Sequence, residues 1–288
     1  MPPLTKRLGK KPDRLDRRTL RFSRYVVPDK LPPLPAAVDH GTRVSAWPMD
    51  GNDEKGDCVL AANEHAIRGW TTYADGTPKA VSEQQVVALY DQLSPNDDGL
   101  EMLSTLNLWR QDGLWGDTID AYASLDKDSL LQAEYAIWLF GSVNIGMSLP
   151  DRNTFGPWLD PAASGRPNPS NGHAIILVGF DSTRRMFQAV TWGELVEMSY
   201  DWYLAYVDEA YAVLSSVDWL DDSGRDPEGF DLAVLQQDLA DIVDAPQPPS
   251  PEPPPPPDPP GPQPGPGCLS LIILPFVIVT LTKVLGLW

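Results

Sequence analysis

Two cysteines and three histidines are the side chains of this sequence best suited to nucleophilic chemistry, and they sit in very different surroundings. Cys58 opens the stretch Cys58–Tyr73, whose apolar positions Val59, Ala62, Ala66 and Trp70 recur every three or four residues, the spacing of a helix. A thiol at a helix start faces the positive end of the helix dipole, which favours the attacking thiolate. Such a thiol needs a base, donors for the oxyanion and a group that orients the base. His65, seven residues beyond Cys58, lies about 10 Å along the same helix, too far to serve, and reads as a packed or solvated helix residue. His40 lies in a loop without a supporting motif. His173 heads the apolar run Ala174–Phe180, and a rigid strand is a good mount for a base. Taken singly, Cys58 also reads as a small buried hydrophobe and His173 as a structural residue. Cys268 lies in an apolar C-terminal stretch, so a disulfide with Cys58 is not expected, and a reducing compartment is mildly favoured.

The elements that would position these groups follow from periodicity. Gly56-Asp57 gives a turn and cap before the Cys58 helix. A second helix is expected over Ser82–Leu93, with Ser82 as N-cap and Val86, Leu89, Tyr90 and Leu93 as its buried stripe. A third is expected over Leu100–Gln111. Strands are expected at Ser142–Leu149, Ala174–Phe180, Met186–Thr191 and Ala210–Ser216. Helices first and strands later imply an α+β domain in two lobes, a helical lobe and an antiparallel β lobe, over residues 32–220.

In order, the chain presents Pro35-Ala36-Ala37-Val38-Asp39, the Asn52 to Cys58 loop, Ser82-Glu83-Gln84-Gln85, Gly172-His173-Ala174 and Thr191-Trp192-Gly193. This ordered set resembles the papain-like cysteine peptidases over about residues 34–216. The resemblance implies Cys58 as nucleophile and His173 as general base and acid. Asn52, six residues before Cys58, matches the Gln whose amide donates to the oxyanion, beside the backbone N–H of Cys58. Trp192 matches the Trp that shields the base-orienting group. That orienting group is an Asn in the family, and its place is taken here by Val190, which makes no side-chain hydrogen bond. Thr191 is the polar neighbour able to orient the imidazole after a one-residue shift. Lys55 replaces a family Cys, Asn96-Asp97-Asp98-Gly99 stands for its Cys-Asn-Gly-Gly stretch, and Val59 replaces the aromatic after the nucleophile.

The resemblance implies a thiol peptidase acting on peptides or proteins, without cofactor or metal. A papain-like binding or structural module without useful catalysis is the alternative, with another thiol acyl transferase of the same fold (transglutaminase-like or amidase) as a third reading. A net charge of −18 over 288 residues argues against nucleic-acid binding. Residues 1–31 form a basic arm with an excess of +7 through Arg24, expected to lie on the domain or stay mobile, mainly as a solvated segment, its end anchored by Leu20, Phe22, Tyr25, Val26 and Val27. The first thirty residues hold no apolar h-region, so no signal peptide is expected there. Residues 221–245 form an acidic segment with a short helix. Residues 246–267 hold 14 of the 31 prolines and read as an extended spacer of roughly 65 Å. Residues 268–288 are expected to form a single C-terminal membrane helix of about 31 Å, with neither side of the membrane preferred.

Overall fold

The computed structural model describes residues 6–24, 33–79, 81–221, 223–227 and 229. The expected spacer and membrane helix, and most of the acidic segment, lie outside these residues, as do Tyr25, Val26 and Val27. Among the described residues no helix is long and apolar enough to cross a membrane.

Three helices come first: α1 (Cys58–Asp75), α2 (Glu83–Leu93) and α3 (Met102–Gln111). Helix α1 is buried on nearly every face, from Cys58 to Ile67 and again from Gly69 to Thr72. Its polar residues are therefore matched inside the protein. Asn63 accepts from the Asn144 amide at 2.8 Å, and Glu64 pairs with Arg68 one turn on. Helix α2 starts with a full capping box, Ser82 and Gln85 satisfying each other's backbone N–H groups. Trp70 of α1 stacks on Trp109 of α3 at 5.8 Å and donates its indole N–H to the Phe140 carbonyl at 2.9 Å.

The remaining elements are β1 (Leu20–Arg21), β2 (Ala37–Asp39), β3 (Ala121–Ser124), α4 (Leu130–Phe140), β4 (Val143–Ser148), β5 (Gly172–Asp181), β6 (Met186–Thr191), β7 (Glu194–Ser199), α5 (Tyr200–Tyr206) and β8 (Val207–Leu214). The described strands join one sheet in the order β1-β3-β8-β4-β5-β6-β7, with β2 paired to β5. Strand β5 is its centre. Its residues Gly172 to Phe180 are all buried, and α1 packs against it. That packing brings the first turn of α1 to the first residues of β5.

The helices and strands expected within the described residues are present, with ends shifted by at most three residues. Helix α4 escaped the periodicity reading because it is buried from Ala133 to Phe140, leaving no polar stripe to betray a helix. The described part of the arm lies on the domain at a few anchors, while Pro12 to Leu15, Arg17 and Arg18 are exposed. Its Lys10 is 5% exposed, Leu20 and Arg21 add a parallel strand beside Ala123 and Ser124, and Phe22 packs edge-on against Phe140.

Candidate active site

Cys58 is the first residue of α1, so its backbone N–H has no partner within the helix and stays available as a donor. Its sulfur is met by the backbone N–H of Ala174, the residue after His173. The structure thus gathers Cys58 and the start of β5 into one place, although 115 residues separate Cys58 from His173 in sequence.

His173 is clamped on two sides. Its Nε2 lies 2.9 Å from Thr191 Oγ1 at the end of β6. Its ring stacks on Trp192, with centroids 4.0 Å apart and planes 9° from parallel. Trp192 holds that position with a left-handed φ of 45°, and Trp158 packs against both rings, 6.3 Å from His173 and 5.8 Å from Trp192. Val190 is fully buried opposite Ile176 and makes no contact of the orienting kind. Among the described residues His173 Nδ1 finds no hydrogen-bond partner.

Asn52 is placed beside the helix start, but its amide donates to the Lys55 carbonyl at 3.1 Å, so the donor assigned to the oxyanion is engaged within its own loop. His65 is 2% exposed, donates Nε2–H to the Pro48 carbonyl at 2.9 Å and packs on Trp47, which is a structural role. Asp50, Glu64 and His65 bring buried donor atoms within 4.8 Å of one another, and both Glu64 oxygens accept from Arg68. His40 meets the Gly141 carbonyl at 3.0 Å, away from the thiol.

A reading of single motifs missed what covers this site. Residues 6–11 of the arm cross it, held mainly through their backbone. Arg7 N–H donates to the Asn52 carbonyl at 2.9 Å, and the Trp192 indole donates to the Arg7 carbonyl at 3.1 Å. The N–H groups of Gly9 and Lys10 both reach the Gly172 carbonyl at 3.1 Å. Lys10 bridges Leu100 in parallel, with Leu100 N–H donating to Gly9 and Lys11 N–H to Leu100, each at 2.9 Å. The approach is so close that a Cβ at Gly172 would overlap the Lys10 carbonyl. The Gly9 N–H also points at the Cys58 sulfur.

The cover sets the electrostatics. Burial pushes the Cys58 thiol up to about 12, outweighing the Ala174 and Gly9 N–H groups that favour the thiolate. Burial, helped by the Lys6 ammonium, pulls His173 down to about 3. Both groups are neutral in the covered site. This corrects the expectation that the helix start alone lowers the Cys58 pKa. The dipole is worth about 0.3–2 kcal/mol, whereas full desolvation of an ion costs more. Asp57, just ahead of Cys58, is likewise pushed up to about 8 by burial, against the pull of Asn52.

No family model matches the sequence, and no curated protein matches it. Solved structures do. Xylellain, a cysteine protease from Xylella fastidiosa, superposes with a TM-score of 0.57 at 14% identity, covering 75% of this chain and 98% of that one. Digestive procathepsin L 3 of the Tenebrio molitor larval midgut gives a TM-score of 0.51 at 17% identity, covering 73% and 76%. Procathepsin L2 from the same tissue gives 0.51 at 16% identity, covering 74% and 80%. The fold is papain-like. On this papain-like scaffold the helix-start cysteine and the strand histidine are present, while the imidazole is held by a threonine hydroxyl one residue beyond the expected amide position.

Proposed function

We propose that the chain is a papain-like cysteine peptidase whose own N-terminal arm covers its site. The observation that carries this reading is the Cys58 sulfur against Ala174 N–H, next to a His173 ring fixed by Thr191 and Trp192. Once the arm leaves and water enters, His173 takes the thiol proton and the thiolate attacks a peptide carbonyl. The C–S bond forms, the C–N bond breaks, and His173 returns the proton to the departing amine. Water, deprotonated by the same imidazole, then cleaves the thioester. The backbone N–H of Cys58 supports the oxyanion, joined by the Asn52 amide if it turns from Lys55. No cofactor enters this scheme. The test is hydrolysis of a fluorogenic peptide library after the arm has been loosened, with Cys58→Ser and His173→Ala as controls. Turnover lost in both controls supports the peptidase. A folded chain whose Cys58 is alkylated freely yet cleaves no peptide or amide favours the binding-module reading.

The second half of the proposal is a membrane tether. Residues 268–288 supply about 31 Å of apolar helix after a proline-rich spacer, close to the roughly 30 Å bilayer core. The full chain should then resist carbonate washing from membranes, and a chain ending at Asp244 should not. Equal release of both would refute the tether.

A further inference from the structure

The loop that joins Asn52 to Cys58 is gripped from outside by a carboxylate of the turn after α2. Asp97 Oδ1 accepts the Gly56 N–H at 2.8 Å and the Tyr90 hydroxyl at 2.6 Å. That hydroxyl in turn accepts the Gly99 N–H at 3.1 Å, so the fully buried Tyr90 locks the carboxylate to its own turn. Asp97 Oδ2 meets Arg7 of the arm at 3.2 Å. The Asp97 backbone is left-handed, with φ 56°, a conformation that costs any residue with a Cβ and that aspartate tolerates better than most. The N–H groups of Asp97 and Asp98 close the turn on Ser94, each at 2.9 Å. Burial pushes the Asp97 carboxyl pKa up, yet Tyr90, the Gly56 N–H, Arg7 and Lys55 more than offset it, and the group stays below its ordinary value.

The grip falls on a peptide group that works in two directions. The Gly56 N–H and the Lys55 carbonyl belong to one planar unit and point to opposite sides of it. The N–H goes to Asp97, and the carbonyl accepts the Asn52 amide at 3.1 Å. A charged acceptor on the N–H side makes the carbonyl a stronger acceptor on the other. Asp97 therefore acts on Asn52 through a single peptide, and Gly56 lies only two residues before Cys58. The fit around Gly56 is close. A Cβ there would stand 3.1 Å from the Leu8 carbonyl oxygen and the Tyr90 hydroxyl, and 3.2 Å from Asp97 Oδ1. Departure of the arm removes the Arg7 N–H from the Asn52 carbonyl. The Lys55–Asp91 pair that also ties this loop to α2 is a surface contact, with side chains 33% and 51% exposed.

We infer that Asp97 is a positioning residue for the oxyanion: through the Lys55–Gly56 peptide it keeps the Asn52 amide within reach of the oxygen that the Cys58 N–H supports, after the arm has left. The carboxylate itself touches neither substrate nor thiol. The inference rests on the peptidase reading for its reaction, but oxyanion support is measurable without peptide cleavage.

The test compares two reactions of Cys58 in the full chain carrying Lys10→Glu, which loosens the arm by setting a third carboxylate against Asp208 and Glu209. With p-nitrophenyl acetate the thiolate adds to the acyl carbon, the carbonyl oxygen becomes an oxyanion, and the ester C–O bond then breaks to release p-nitrophenolate as a coloured burst. With iodoacetamide the C–S bond forms as iodide leaves, and no oxyanion develops. Both reagents meet the same opened site, so the ratio of the two rates does not depend on how far the arm has moved. Asp97→Gly removes the acceptor and leaves no Cβ to strain the left-handed turn. It should slow acylation at least about tenfold and leave alkylation within about twofold. Asp97→Asn keeps an acceptor oxygen for Gly56 and Tyr90 and should recover most of the loss. If Asp97→Gly lowers the folded yield, Tyr90→Phe frees the carboxylate from its turn and should shift the ratio in the same direction. An unchanged ratio, or Asp97→Asn as slow in acylation as Asp97→Gly, overturns the inference. So does an equal fall with both reagents, which would place the effect on the thiol or the fold. Failure of the peptidase reading shows separately, as a chain whose acylation burst depends on Asp97 while no peptide is cleaved.

Discussion

Replacing Lys10 with glutamate should expose the thiol, and the structure gives the size of the effect. The substitution puts a third carboxylate beside Asp208 and Glu209, where an ammonium now sits 3.0 Å from each. Removing one partner of a buried ion pair costs about 3–5 kcal/mol, and a like charge adds to that. The backbone bonds of residues 7–11, each worth about 1 kcal/mol net, offset only part of it. In the covered chain the thiol pKa stands at about 12. At pH 7.5 the thiolate fraction is then roughly 3 × 10⁻⁵, against roughly 0.1 for a free cysteine with a pKa of about 8.5. Full uncovering should raise the rate of Cys58 alkylation by iodoacetamide roughly three-thousandfold, and more if a Cys58–His173 ion pair forms. The assay is intact-mass spectrometry over time at pH 7.5, with Lys10→Arg as the variant that keeps the charge and the slow rate. A folded Lys10→Glu chain alkylated within about threefold of the parent rate would refute the idea that the arm controls the thiol.

Thr191→Val should leave His173 Nε2 buried without a partner and lower stability by about 1–3 kcal/mol in urea titrations. Thr191→Ser should recover most of that loss, and imidazole nitrogen resonances should move only in the Val variant. Asp57 keeps its proton up to about pH 8, whereas the unfolded carboxylate loses it near pH 4, so the fold binds more protons and stability falls as pH rises through that window. Below about pH 6.5 this is opposed by His173, held neutral down to about pH 3, whose lowered pKa makes stability rise with pH. Between pH 6.5 and 8, Asp57→Asn should therefore flatten the decline by about 1.4 kcal/mol per pH unit, and an unchanged slope would show Asp57 to be ionised. Ser82→Ala breaks the α2 capping box and should cost about 1 kcal/mol by thermal denaturation, with no effect on thiol reactivity. Gly141 ends α4 at φ 75° with Trp70 and Trp219 against it, so Gly141→Ala should cost more than the cap.

What could be read from sequence was local. The α1 stripe, the Ser82 cap and the buried run through Ile175, Ile176, Leu177 and Val178 each depend on neighbours within a turn or a strand, and each element stands within three residues of its expected place. Helix α5, seven residues long, was too short for a periodic signal, and β7 mixes exposed and half-buried positions without clean alternation. The covered site was not legible because it depends on distant pairs. Lys10 meets Glu209 across almost the whole folded sequence, and no local pattern marks a lysine that is about to be buried. A helix dipole can be inferred from a helix start. The stronger effect, burial under residues from the far N-terminus, cannot.

An amide oxygen beside His173 Nε2 only accepts, so it forces the proton onto Nε2 and leaves Nδ1 bare for a thiol proton. The Thr191 hydroxyl both donates and accepts. It fixes where the ring sits, at 2.9 Å, while leaving either tautomer satisfied at Nε2. The tautomer must then be set on the other side, at Nδ1, which among the described residues has no partner. With the arm in place and both groups neutral, nothing there demands one tautomer. Once a thiolate forms, an imidazolium carries protons on both nitrogens, and the hydroxyl need only accept, which it does as well as an amide. Threonine is therefore a weak organiser of the resting imidazole and an adequate one for the ion pair. That places the burden of the resting state on the cover itself, and on the Trp192 stack that holds the ring in plane.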